Sequence, residues 1–259
     1  MNIEVRFQGG LTANQEAAFE SAAERWSQLI SADVPNVIVD GVEIDDVLIN
    51  ATGVRIDGPA GTLGRAGPLL WRPDTLIPAL GVMEFDVGDL DRMQVDGSLE
   101  MVIIHEMGHV LGMGTLWEEM GLLQGAGTAN PVFTGSNAAR EFASLIGSDT
   151  PTPVPVENED GVGTRDGHWR ESVFGNELMT GFLDTGANPV SLMTLAALQD
   201  MGYQVNFDAA DAFTLPSFRE LAMIGVFARV HDTGCLMAGA QRRGAEPAAL
   251  PESALLARA

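Results

Sequence analysis

Cysteine is almost missing from this 259-residue chain. The single one, Cys235, excludes an internal disulfide framework. One thiol suits a cytosolic protein and a bacterial exported one equally, so it leaves the redox compartment open. Basic residues are also few. Fourteen Lys and Arg against 36 Asp and Glu give a formal net charge of −22, which argues against a nucleic-acid partner, because phosphate backbones are gripped by basic patches. The acidity reads as a solvated surface that favours solubility and can draw in cations. No apolar run is long enough to span a bilayer. The opening "MNIEVRFQGG" lacks the charged and apolar regions of a secretory signal and reads as a first strand, so any export signal is expected outside this chain or at its other end. There are four histidines and one tyrosine, Tyr203.

What is present suits a folded protein: 46% hydrophobic and 19% charged residues, in a chain long enough for one domain or two closely packed subdomains. The 30 Gly and 13 Pro cluster in the middle and predict long irregular connections. Ile3, Val5 and Phe7 alternate with polar residues, the pattern of a half-buried strand. Thr12 with Gln15 makes a capping box, and Phe19, Ala22, Ala23, Trp26 and Ile30 form the apolar stripe of a long helix. Short β-branched runs from Val37 to Ile56 predict strands separated by turns at Asp40-Gly41 and at Asn50 to Gly53. "GVMEFD", residues 81 to 86, predicts another strand. From Gly121 to Gly167 one short helix, around Ala138 to Ile146, interrupts a loop-rich stretch. A helix is predicted from Ser191 to Met201, stopped by Gly202, and another after Pro216 through Leu221 and Phe227. Beyond Ala238 the Ala, Arg, Glu and Pro bias reads as a disordered tail.

The chemistry concentrates in "LEMVIIHEMGHVLGMG", which Ser98 introduces as N-cap of a buried helix. Residues four apart lie on one helix face, so His105 and His109 can turn their imidazoles to one ion. Glu106 is placed to hold a metal-bound water. Two imidazoles and a general base begin a catalytic zinc site, which takes three protein ligands and keeps one position open. The plainer alternative, two incidental buried histidines beside a glutamate, carries a desolvation cost with nothing to offset it. Gly112 suits the helix end, where a left-handed residue turns the chain. Three residues on, where a third His is familiar, stands Thr115. The remaining histidines are His168, 55 residues past Gly112 (residues 113 to 167), and His231, which lies near Cys235 in the less regular C-terminal region.

The set "HEMGHVLGMG", a long insertion, then "HW" and "NELMTG" resembles the leishmanolysin family of metzincin peptidases, and a bacterial-type member of it. Members of that family carry a large insertion between the motif glycine and the third His, and a Met-turn eleven residues after that His. The resemblance therefore implies His105, His109 and His168 as ligands of one zinc ion, Glu106 as general base and acid, Gly112 as the turn glycine and Met179 as the structural Met-turn residue. It implies a zincin- or metzincin-like α+β fold: an N-terminal twisted mixed sheet with long helices through residue 112, and an irregular, mostly helical and loop-rich subdomain from 113 to 237. It also implies a protein or peptide substrate lying along an edge strand, for which "GVMEFD" is the candidate, and an extracellular or cell-surface location, with the cytoplasm left open. Two departures stand out. Eukaryotic members have many disulfides where this chain has none, and position 181, tyrosine in some metzincins, is Gly181. Two other readings stay open: a zincin with Glu141 as third ligand, and a zinc-containing binding or adhesion module that does not cleave, against which the intact Glu106 argues.

Overall fold

Alternating apolar residues form β1 (Ile3–Phe7), after which the chain enters α1 (Ala13–Leu29). The capping box closes as expected: Gln15 N donates to Thr12 Oγ1 and Thr12 N donates to Gln15 Oε1. The computed structural model describes residues 1–59, 61–159, 163–183, 186–217, 220–221, 236–237 and 247–256. Phe19, Ala22, Ala23, Trp26 and Ile30 are all buried along the predicted stripe.

β2 (Val37–Val39) and β3 (Val42–Ile44) form a hairpin around Asp40-Gly41, both residues at positive φ. β4 (Val47–Val54) then runs straight through Asn50 to Gly53, where the sequence predicts a turn. The glycine there serves close approach instead of a reversal: a Cβ on Gly53 would lie 2.1 Å from the Gly10 carbonyl oxygen. β5 (Gly64–Trp71) and β6 (Pro78–Asp86) follow, then α2 (Val87–Asp96) and α3 (Leu99–Val110). Ser98 is the residue before α3 as predicted, but its hydroxyl donates to Asp96 Oδ1 at 2.6 Å and does not cap the helix.

The loop-rich stretch carries β7 (Leu123–Gln124), β8 (Val132–Phe133), α4 (Ser136–Leu145) and β9 (Val154–Pro155), the three strands forming a small antiparallel sheet. The one-turn α5 (Glu171–Phe174) precedes α6 (Leu192–Asp200), which Ser191 caps through its hydroxyl. The remaining described strands are β10 (Leu236–Met237) and β11 (Ala248–Ala249). The protein is thus mixed α and β, with six α-helices among the described residues.

The main sheet is mixed, in the order β1-β4-β6-β5. β1, β4 and β6 are parallel and β5 is antiparallel to β6; β10 and β11 pair with the outer side of β5. "GVMEFD" therefore lies in an interior strand with both sides paired, so the edge expected there is not found; among the described strands the sheet ends at β1 on one side and at β10 and β11 on the other. Because side chains alternate along a strand, Ile49 of β4 faces the large core with α1 and α3, while Leu48 faces the opposite side. That second side is covered by Val37 and Ile44 of the hairpin and by Leu250 and Ala254. Residues 238–246 and 257–259 of the expected disordered tail lie outside the described residues. The described part of it, 247–256, is packed: Leu250 and Ala254 find the apolar sheet face that the helices leave uncovered. Most of the helix predicted after Pro216, together with His231 and Cys235, also lies outside the described residues. No helix among the described residues is long and apolar enough to cross a membrane.

Candidate metal centre

One helical turn separates His105 from His109, and their Nε2 atoms lie 3.0 Å apart. His168 meets them from the far end of the loop-rich stretch, its Nε2 3.0 Å from that of His109 and 3.3 Å from that of His105. All three rings are buried, and among the described residues this is the one cluster of three or more potential ligand groups close enough to share an ion.

One close backbone approach and one side-chain contact bring the third ring in. The chain turns out of α3 through Gly112 (φ 101°) and Gly114 (φ 73°), conformations that glycine adopts without steric cost. A Cβ on Gly114 would lie 1.9 Å from the Gly167 carbonyl oxygen, so only glycine lets the residue before His168 reach the end of α3. Gly181 leaves room for the Thr164 side chain, whose Cγ2 would be 2.4 Å from an added Cβ. Thr115, standing where a ligand might be sought, donates its hydroxyl to the His109 carbonyl at 2.7 Å and holds the helix end.

The proton positions follow from the partners of the other ring nitrogens. His105 Nδ1 faces Leu178 O at 2.7 Å, His109 Nδ1 faces Met113 O at 2.8 Å and His168 Nδ1 faces Thr164 O at 2.8 Å. A carbonyl can only accept, so each Nδ1 carries the hydrogen and each Nε2 is a bare lone pair. Burial holds the rings neutral. It lowers His105 to about 4 and His168 to about 3, and pushes His109 well below the usual imidazole value. Three lone pairs therefore converge with no proton to share, an arrangement that a cation relieves. Zinc with nitrogen ligands at roughly 2.0–2.1 Å in tetrahedral geometry sets those nitrogens about 3.3 Å apart, and the three separations fall within a few tenths of an ångström of that. The site fits such an ion.

Around the cluster, Met179 is buried with its sulfur against Gly108; a Cβ on Gly108 would lie 2.8 Å from Met179 Sδ. Glu106 is fully buried next to His105 on α3. Trp169, beside His168, stacks on Trp117 with ring centroids 4.7 Å apart and is part of the core. Tyr203 donates its hydroxyl to Leu111 O at 2.9 Å at the end of α3. Glu141 lies half-buried on α4 and is not in the converging cluster. Gly114 and the carbonyls of Leu178 and Thr164 shape the cluster, and the amino-acid order does not announce them. Of these, only the second glycine of "GMG", a residue with no helical use beyond Gly112, offers a signal.

Comparison with known proteins points the same way. A family model described as Leishmanolysin matches residues 32–220. Leishmanolysin of Leishmania donovani is 25% identical over 190 residues, which cover 68% of this chain and 30% of the relative. That of Leishmania major is 28% identical over 142 residues, covering 52% of this chain and 23% of the relative. The chain spans less than a third of the length of these curated relatives.

Proposed function

From the premise that the chain belongs to the leishmanolysin family of metallopeptidases, we propose that it is a zinc-dependent endopeptidase of the metzincin type. His105, His109 and His168 are the protein ligands of one zinc ion, and Glu106 is the general base and acid. The observation that carries this reading is the convergence of three bare Nε2 atoms in a buried, proton-free cluster.

When bound, zinc supplies Lewis acidity that polarises a carbonyl and acidifies water. The chain's own residues supply the rest. The carbonyls of Leu178, Met113 and Thr164 hold the imidazoles in the tautomer that leaves Nε2 free to ligate. Glu106 takes a proton from water as its oxygen bonds to the scissile carbonyl carbon, then gives it to the departing nitrogen as the C–N bond breaks. Met179 is the Met-turn residue and acts by packing beneath α3. The substrate is an extended segment of a protein or peptide. The reaction centre lies where an N-terminal part, residues 1–112, meets the part from 113 to 237, and the protein works outside the cell or at its surface.

Elemental analysis paired with a peptide-cleavage assay tests the reading. We expect one zinc per chain, with cleavage abolished by chelation and restored by zinc. Glu106→Ala should keep its zinc and lose turnover by a factor on the order of 100 or more. Cleavage undiminished in verified metal-free protein would end the metallopeptidase reading, and full turnover in Glu106→Ala would assign the base elsewhere.

A further inference from the structure

Glu177 is fully buried two residues before Met179, and its carboxylate forms no ion pair with a cationic side chain among the described residues. It is nonetheless saturated with donors. Oε1 accepts from Ser191 N at 3.1 Å, from Ser191 Oγ at 2.7 Å and from Thr194 Oγ1; Oε2 accepts from Met179 N at 2.7 Å. Burying a carboxylate is costly even when its hydrogen bonds are satisfied. Anchoring α6 alone does not call for a charge at this position, because Ser191 already caps that helix.

What the carboxylate fixes is the short loop behind the metal cluster. Leu178, between Glu177 and Met179, offers the carbonyl that holds His105 Nδ1 at 2.7 Å. Met179 O accepts from Trp169 N at 2.9 Å, one residue from His168. Thr194 Oγ1, which donates to Glu177, accepts from the Trp169 indole N–H at 2.9 Å. One carboxylate thus reaches two of the three rings, His105 through Leu178 and His168 through Trp169. His109 is outside this network, since its Nδ1 is held by Met113, just beyond its own helix.

We propose that Glu177 is a positioning residue of the metal centre: its carboxylate sets the 177–180 loop and Trp169 so that His105 and His168 present Nε2 to a common point. This rests on the reading of the three histidines as metal ligands. It goes beyond that reading by making a non-ligating residue set the coordination geometry. A residue that merely anchors α6 would affect stability and leave the metal's affinity and spectrum alone.

The experiment uses the full chain, zinc competition against a chromophoric chelator, and the visible absorption of the Co(II)-substituted protein. Glu177→Gln can keep a carbonyl oxygen toward Ser191 and Thr194, but then turns an NH2 group against the Met179 amide. Zinc affinity should fall about tenfold or more, the charge-assisted bond being among the strong ones, and the Co(II) bands should shift or weaken. Thr194→Val leaves the bond to Met179 in place, cuts the link to Trp169, and should shift the bands less. Ile44→Val, in the cluster on the other side of the sheet, controls for lost stability and should change neither readout. Folded Glu177→Gln and Thr194→Val proteins with wild-type affinity and spectrum would overturn the proposal and leave Glu177 as an anchor of α6. The proposal falls equally if Glu177→Gln does not fold and Thr194→Val behaves as wild type. Wild-type protein that binds no stoichiometric zinc would instead overturn the metal-site reading itself.

Discussion

His105 and His109 reach the candidate metal centre by one kind of structure and His168 by another. The first two sit on α3, a helix held by its own backbone ladder and by apolar burial against α1 and the sheet. His168 sits in a stretch with little regular structure, where charged side chains bind backbone groups one at a time. Glu157 accepts from the amides of Asn158, Glu159 and Glu171. Arg170 donates to the carbonyls of Val156 and Pro131. Asp200 accepts from the amides of Asn137 and Ala138 at the start of α4. Buried backbone groups must be paired somewhere, and where no ladder forms, side chains take over. A helix fixes the spacing of two ligands by local geometry alone. A ligand on a loop is fixed by contacts scattered along the sequence, so its position should be sensitive to single substitutions far from the ion.

The joint between the two regions offers the sharpest way to break this contrast. Gly114→Ala puts a Cβ 1.9 Å from Gly167 O at a residue of positive φ. It should cost more than about 3 kcal/mol or abolish folding, and any folded fraction should bind zinc on the order of 100-fold more weakly. Gly97→Ala, also at positive φ but facing open space at the end of α2, should cost only about 1 kcal/mol and leave zinc affinity unchanged. Chemical denaturation and chelator competition on both variants check this; equal effects would mean that the 114–167 approach does not seat the third histidine.

The regular region should respond to lost apolar cover. Deleting residues 247–259 removes Leu250 and Ala254 from the second sheet face and should lower stability by about 2–3 kcal/mol, with zinc affinity unaffected. Unchanged urea midpoints would show that this face stands without the segment.

A smaller effect is expected at Asp86, where β6 passes into α2. Its buried carboxylate accepts from the amides of Ile56, Asp57, Gly58 and Gly88. Burial acts to raise its pKa, but these four bonds outweigh burial and bring it below the usual carboxylate value. A depressed folded pKa means that the contribution is complete above the unfolded value of about 3.9 and is lost as pH falls through the lower folded value. Asp86→Asn should therefore be less stable than wild type by about 1–2 kcal/mol at neutral pH, and the gap should narrow steadily below about pH 3.9. A gap that stays constant to the lowest pH would show that Asp86 contributes no charge-dependent stability.

The same division explains what could be read from the amino-acid order. β1, α1, α3 and α6 are legible because each is set by residues within a few positions of one another: the Thr12–Gln15 box, the stripe through Phe19 and Trp26, the His–Glu–x–x–His spacing. β5 escapes because Gly64, Gly67 and Pro68 disguise a strand that is stabilised by its pairing with β6. Gly53 looks like a turn residue, yet its role is set by Gly10, far away in sequence. Glu177 carries no local signal, since Ser191 and Thr194, which surround it, lie more than a dozen residues on. Composition alone gives the C-terminal segment the look of a tail, because nothing local reveals that a sheet face awaits Leu250. His168 is the instructive intermediate: its own surroundings are uninformative, and the family resemblance singles it out through its distance from Met179.

The central claim is that a ligand on this irregular stretch completes the centre begun on α3. Zinc titration of His168→Ala and Glu141→Ala, with circular dichroism to confirm that both fold, tests it most directly. His168→Ala should lose zinc affinity by a factor on the order of 100 or more, because two protein ligands do not hold a catalytic ion tightly, while Glu141→Ala should stay within about twofold of wild type, as expected for a residue that does not ligate. Wild-type affinity in His168→Ala together with lost binding in Glu141→Ala would contradict the account.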